Sequence, residues 1–205
     1  MPHRYKTILL FGAPGAGKGT QGTVLGRSPG FFPVSCGDVF RTIDISSDLG
    51  KAFYEHSSKG ELVPDELTVK MWAKNIAARV TLGEYKPKDD LLILDGIPRT
   101  VEQSKLMDDH IDVFKVIHLS CDDEKEMFKR LRRRALKSNR VDDADEDVIR
   151  NRWKVYEKET FPVLEHYPKE NIVSIDSLGS PARILHDILE TVVPIQNKHF
   201  EAFAG

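Results

Sequence analysis

The chain has 205 residues, 40% hydrophobic and 30% charged, with 30 Lys and Arg against 32 Asp and Glu for a net charge of -2. That length suits one α/β domain rather than two, and that hydrophobic content buries a real interior, which excludes a disordered or lipid-embedded chain. A near-neutral balance with a pI near 6.4 and a mean hydropathy of -0.37 leaves no global field for a nonspecific nucleic-acid binder, so any polyanion site must be built locally.

In chain order, the first residues lead into a short apolar run, 7–11, that ends at Gly12. The run is too short for a secretory core with its cleavage site, so a cytoplasmic location is expected. It reads instead as a buried strand, followed by the glycine-rich segment Gly12-Ala13-Pro14-Gly15-Ala16-Gly17-Lys18-Gly19-Thr20. A weaker strand is expected at 32–34, just before Cys36 and Arg41. Between 65 and 82, Val69, Trp72, Ala73, Ile76, Ala77 and Val80 recur at three- and four-residue spacing, an amphipathic stripe opened by Pro64-Asp65. Further strands are expected at 91–94, 114–119 and 172–175. The acidic stretch 142–147 suits a helix start, where carboxylates meet the positive end of the helix dipole. Residues 194–205 read as a tail appended to the domain. Strands alternating with helices predict a parallel sheet covered on both faces, with ligands beyond its C-terminal strand ends. The two cysteines, Cys36 and Cys121, are too far apart for a CxxC pair, so neither a disulfide framework nor a structural zinc site is expected. Cys121 is expected to be a buried hydrophobe.

The segment 12–20 satisfies GxxxxGK between a strand and a helix. Its glycines let successive N–H groups curl around one anion, the helix adds its positive end, and Lys18 reaches the outer phosphates. A bare glycine-rich turn would not need the lysine and the preceding strand as well. Gly19 stands where a Ser or Thr ligand to Mg²⁺ is usual, and Thr20 follows it. Arg41 and Arg99 each lie shortly after a strand, where guanidinium forks suit a second phosphate-bearing substrate; a surface ion pair is the plainer alternative for each. Asp95 ends the most apolar strand, within reach of the first loop, as an organiser of hydrated Mg²⁺, a structural hydrogen-bond acceptor, or both. In the run from Lys129 to Arg134, Arg130 and Arg134 share a helical face, so the run need not be one nucleic-acid-binding stripe. Arg132, Arg133 and Lys137 are expected to be solvated.

The glycine-rich segment through Gln21 resembles the phosphate loop of nucleoside monophosphate kinases, above all the adenylate kinase family. Four more segments agree in order: Ser35 through Arg41, Gly60-Glu61-Leu62-Val63-Pro64, Asp95-Gly96-Ile97-Pro98-Arg99, and Arg130 through Arg152. The resemblance implies an α/β fold of the P-loop NTPase type, a doubly wound parallel five-stranded sheet in a single domain, 1–205. It places a helical AMP-binding region at about 38–67, a short lid at about 135–146 and a C-terminal tail at 194–205. Ser138-Asn139-Arg140 replaces the family's usual Ser-Gly-Arg, and Asn tolerates the turn best among non-glycine residues. The implied activity is Mg²⁺-dependent transfer from ATP to AMP, giving two ADP.

By the same resemblance ATP is held by Gly15, Ala16, Gly17, Lys18, Gly19, Thr20, Arg130, Arg134 and Gly179. AMP is held by Cys36, Arg41, Leu62, Val63, Gly96, Arg99, Gln103, Arg140 and Arg152, and the catalytic cations are Lys18, Arg99, Arg134, Arg140 and Arg152. Asp142 and Asp143 position the lid arginines, and Mg²⁺ is held through water by Asp95, with Thr20 as a further ligand. The expected partners are ATP, AMP and ADP alone, with no nucleic acid or membrane, for a monomer. Gln103, four residues past Arg99, favours adenine as the acceptor base. Cys36 stands where adenylate kinases usually carry Thr and UMP/CMP kinases Ala, which keeps a UMP/CMP kinase as the alternative; a nonenzymatic nucleotide sensor is another.

Overall fold

The computed structural model describes residues 4–121, 123–138 and 143–199. Five parallel strands form one sheet in the order β2-β3-β1-β4-β5: β1 (Tyr5–Gly12), β2 (Phe31–Ser35), β3 (Leu91–Asp95), β4 (Ile111–Ser120) and β5 (Ile172–Asp176). All five expected strands are present and each is longer than its apolar run. The reason is that ladder pairing, not hydrophobicity, sets where a strand ends: Tyr5 pairs with Ile111 and Leu10 with Asp95, beyond the runs read from the sequence. Pro33 is accommodated because β2 is an edge strand.

Both faces of the sheet are covered, as the four fully enclosed residues of β3 from Leu91 to Leu94 require. Alternate side chains divide between two cores. Leu9, Phe11, Val34, Leu92 and Leu94 pack with Trp72 and Ile76 of α4 (Asp65–Thr81), while Ile8, Leu10, Ile93, Ile117 and Leu119 pack with α1 (Lys18–Leu25), α6 (Glu124–Ser138) and α8 (Pro181–His199). The buried face of α4 is Thr68, Val69, Met71, Trp72 and Ile76, whereas Ala77 is exposed. The stripe is rotated from the expected one because α4 packs on α5 (Val101–Met107) as well as on the sheet.

Two short helices, α2 (Cys36–Arg41) and α3 (Asp48–Ser57), fill the connection between β2 and α4. The acidic stretch does start a helix: Asp145 caps α7 (Glu146–Val155), its Oδ1 accepting from the N–H groups of Asp147 at 2.8 Å and Val148 at 3.3 Å. Residues 194–199 are not an appendage. They continue α8 through Pro194, because Val192 and Gln196 stay on its buried face and Gln196 Nε2 donates to the Pro29 carbonyl at 3.1 Å. Residues 200–205 lie outside those described. Among the described residues no helix is long and apolar enough to cross a membrane.

Gly12 ends β1 with φ 144°, and a Cβ there would stand 2.5 Å from the Leu119 carbonyl oxygen on β4. Gly12→Ala must therefore separate β1 from β4 at the root of the glycine-rich loop. Overpacking of this kind costs about 1–3 kcal/mol, or about 3–10 °C of Tm, and activity should fall with it. An unchanged melting curve would refute the close approach.

Candidate active site

The chain leaves β1 toward β2 on one side and leaves β3 toward β4 on the other, so the order of strands reverses between β1 and β3. Open parallel sheets bind ligands at such a reversal, beyond the C-terminal strand ends. A cavity of about 800 Å³ opens there, lined by the loop after β1, the start of α2, the ends of β3 and α6, and Arg152 of α7.

The loop is built to take an anion. Gly17 sits in the left-handed region at φ 98° and directs the chain into α1, whose first turn carries no acidic residue and no side-chain cap. The N–H groups at that helix start are therefore left for a ligand. Gly15, Ala16, Gly17, Lys18, Gly19 and Thr20 all line the cavity. Lys18 is half-buried, its ammonium donating to the carbonyls of Gly12 at 2.7 Å and Ala13 at 3.1 Å. Desolvation pulls its pKa down to about 8; Asp95 opposes that fall, and Arg99, Arg134 and Arg152 add to it.

Asp95 pairs in register with Leu10 of β1 and Ser35 of β2, which fixes its carboxylate at the reversal point. Asp95 and Thr20 both line the cavity and offer oxygen donors. One carboxylate and one hydroxyl cannot cage a cation, but they suit Mg²⁺, which keeps water and phosphate oxygens in its shell. Among the described residues, the close group of three metal-type side chains is His186, Asp187 and Glu190 on α8, none of which lines the cavity.

At one end of the cavity lie Cys36, Arg41, Leu62, Val63, Gly96, Arg99 and Gln103. Ser35 caps α2 by accepting from the Asp38 N–H, and Arg41 pairs with Asp38 at 3.1 Å. Arg99 folds back so that Nε donates to the Gly96 carbonyl at 2.9 Å; a Cβ on Gly96 would meet Nη2 at 2.8 Å, so the guanidinium lies over bare backbone. Burial pushes the Cys36 thiol up to about 12, only partly offset by Arg99, which leaves it a neutral hydrophobe rather than a nucleophile.

At the other end, Arg130 donates to the Ser177 carbonyl at 2.8 Å and pairs with Glu126, while Gly179 lines the wall. Arg134 and Arg152, from two different helices, grip Asp143 at 2.6 and 2.5 Å. Asp143 is fully buried; burial pushes its pKa up, but the Arg134 hydrogen bond and the Arg152 charge outweigh that and hold the carboxyl below its ordinary value. Arg140 and Asp142 lie outside the described residues.

Arg132, Arg133 and Lys137 are exposed, as expected; Arg133 and Lys137 also contribute to the lining of the cavity, and Arg132 pairs with Glu146 of α7. Arg130, Arg133, Arg134 and Lys137 follow i, i+3, i+4, i+7, a spacing that was legible and places all four on one face. Cys121, expected to be buried, is instead partly exposed, and its sulfur accepts from the Asp123 N–H at 3.4 Å, because it sits just past the end of β4 rather than within it. Asp65, which accepts from Gln103, carries in the sequence only the signal of a helix start.

The adenylate kinase family model matches residues 10–172. The adenylate kinase of Flavobacterium psychrophilum is 34% identical over 192 residues, 90% of this chain and 97% of that protein. That of Parabacteroides distasonis is 36% identical over 90% of this chain and 96% of its own length, and that of Thermobifida fusca 37% identical over 84% and 90%. With a phosphate loop, a carboxylate at the strand reversal and a ring of cations all inside the matched span, the chain belongs to the adenylate kinase family.

Proposed function

We propose that this chain, an enzyme of the nucleoside monophosphate kinase class, catalyses reversible phosphoryl transfer from Mg²⁺-bound ATP to AMP, giving two ADP. The observation that carries the reading is one continuous cavity. Its lining includes the anion-binding helix start with Lys18, the two guanidiniums of Arg41 and Arg99, and those of Arg134 and Arg152. A site for a single nucleotide would not need the second set of guanidiniums.

In this reading an AMP phosphate oxygen attacks the γ-phosphorus, a new P–O bond forms there, and the β–γ bridging bond breaks with its electrons passing to the leaving ADP. No side chain has to accept a proton or form a covalent intermediate, so catalysis consists of alignment, charge neutralisation and exclusion of water. Lys18 and the N–H groups at the start of α1 hold the donor phosphates, and Arg99 with Arg41 holds the acceptor phosphate. Arg134 and Arg152, oriented by Asp143, stabilise the charge spread over the group in transit. Asp95, through water, and Thr20 would hold Mg²⁺, which would further neutralise the triphosphate. Arg140 and Asp142 are assigned to the lid on the family resemblance alone. The two free thiols support a reducing cytoplasmic setting.

A coupled assay with ATP and Mg²⁺ and with AMP, CMP and UMP as acceptors tests the reading; AMP should give the highest kcat/KM. A preference for CMP would transfer the site to pyrimidine acceptors, and no turnover with any acceptor would leave only nucleotide binding. Lys18→Ala should lower kcat by about 10³ or more while the protein stays folded, comparable to loss of a transition-state cation; near-normal turnover would remove Lys18 from the phosphate site.

Arg99→Ala should raise KM for AMP at least tenfold more than KM for ATP, since its contact belongs to the acceptor end. Equal rises for both substrates would dissolve the division into two ends.

The depressed Lys18 pKa has its own signature. Near pH 8 the free enzyme holds this proton about half the time, and triphosphate binding stabilises the ammonium, so a proton is taken up from solvent. Calorimetry of ATP binding at pH 8 in buffers of different ionisation enthalpy should register that uptake, and Lys18→Met should abolish it. A binding enthalpy independent of buffer would contradict the desolvated-ammonium account.

A further inference from the structure

Gln103 is the residue assigned above to the acceptor base, yet its amide already has protein partners. It is only 2% exposed, its Oε1 accepts from the Arg99 backbone N–H at 2.7 Å, and its Nε2 donates to Asp65 Oδ1 at 2.8 Å. Its backbone N–H is held as well, donating to the Thr100 hydroxyl that caps α5. A primary amide has two hydrogens and two oxygen lone pairs, so one of each remains for a ligand in the cavity that Gln103 lines. Asp65 is not part of that lining; half-buried in the first turn of α4, it meets the cavity wall through its hydrogen bond with Gln103.

The two anchors have opposite polarity. The Arg99 N–H can only donate, and an ionised carboxylate can only accept. Turning the amide over would set Nε2 against a donor and Oε1 against an acceptor, so the orientation is determined from two sides. Orientation is what the base edge reads. Adenine presents N1 as an acceptor beside the N6 amino donor, whereas hypoxanthine presents N1–H as a donor beside the O6 acceptor. An amide held with its oxygen and nitrogen in one order matches the first pattern and opposes the second.

Resting on the assignment of Gln103 to the acceptor base, we propose that Asp65 is a specificity-determining positioning residue, which locks the Gln103 amide in the orientation that accepts AMP and rejects 6-oxopurine monophosphates such as IMP. An asparagine at this position can serve either amide orientation by turning its own amide, so Asp65→Asn removes one of the two locks and leaves the Arg99 N–H as the other. One hydrogen-bond preference of this size corresponds to about a tenfold change in selectivity. The carboxylate also favours the positive end of α4, but that contribution bears on all acceptors alike.

The test is kcat/KM for AMP and for IMP at saturating ATP and Mg²⁺ in the natural protein, Asp65→Asn, Gln103→Ala and the double variant. Asp65→Asn should lower the AMP-to-IMP ratio about tenfold, chiefly through KM for the acceptors, with KM for ATP unmoved. In the Gln103→Ala background the same change should leave the ratio where Gln103→Ala alone puts it, because Asp65 acts through that amide. Asp65→Glu, which keeps an acceptor-only carboxylate at the helix start, should restore most of the selectivity. Asp65→Ser, too short to reach Nε2, provides a second loss of the contact should Asp65→Asn not fold. If Gln103→Ala collapses the ratio while Asp65→Asn and Asp65→Ser leave it intact, the proposal fails and the base assignment stands. A ratio shift of equal size with and without Gln103 also overturns it. If Gln103→Ala itself leaves the ratio unchanged, the acceptor-base assignment falls first and takes the proposal with it.

Discussion

Like charges repel, and this molecule forces several of them together. Desolvation is the largest cause of the lowered Lys18 pKa, and Arg99, Arg134 and Arg152 add to it against the pull of Asp95. A fold that assembles such a cluster must hold it with something other than mutual attraction. Two carboxylates do much of this. Asp95 is fixed by its place in the sheet, and Asp143 is buried between two arginines that would otherwise have no reason to converge. The remaining excess of positive charge is what a polyphosphate ligand neutralises, so the site is electrostatically incomplete without one.

The sheet explains why so few residues suffice. With β1 and β3 adjacent and their connections leaving in opposite directions, the loop after β1 and the carboxylate after β3 meet without any long-range adjustment. Their rigidity comes from the core beneath: Ile8 to Leu10 and Leu91 to Leu94 are almost wholly enclosed between two helical layers. The cations from α6 and α7 are placed differently. Arg134 and Arg152 come from two helices and converge on the one buried carboxylate of Asp143.

Around Gln103 the same economy appears in neutral form. The Gln103 amide joins the Arg99 backbone, the cap of α5 and the first turn of α4, so the residue that would read a base is held by the elements that shape the pocket around it. Polar groups preorganised in this way discriminate by leaving a wrong partner unsatisfied rather than by adding attraction for the right one.

Local pattern carried much of this molecule. The five apolar runs, the period of α4, the acidic start of α7 and the glycine-rich loop are each decided by residues near one another in the chain, where steric and capping preferences act directly. They are legible as strands, helix, cap and anion-binding loop, and the motifs carry the family resemblance. Strand limits are not legible in this way, since Ile111 becomes part of β4 through its partner Tyr5 rather than through its neighbours. Nor is the fate of residues 194–199, which join α8 because Gln196 finds the Pro29 carbonyl far earlier in the chain. Residues near one another in the chain thus encode the kind of sheet, the glycine-rich anion loop and the chemistry of its cations. That Arg134 and Arg152 share one buried carboxylate, and that Asp65 holds Gln103, follows from packing alone. Contacts between distant segments depend on how whole layers pack, and no local periodicity encodes that.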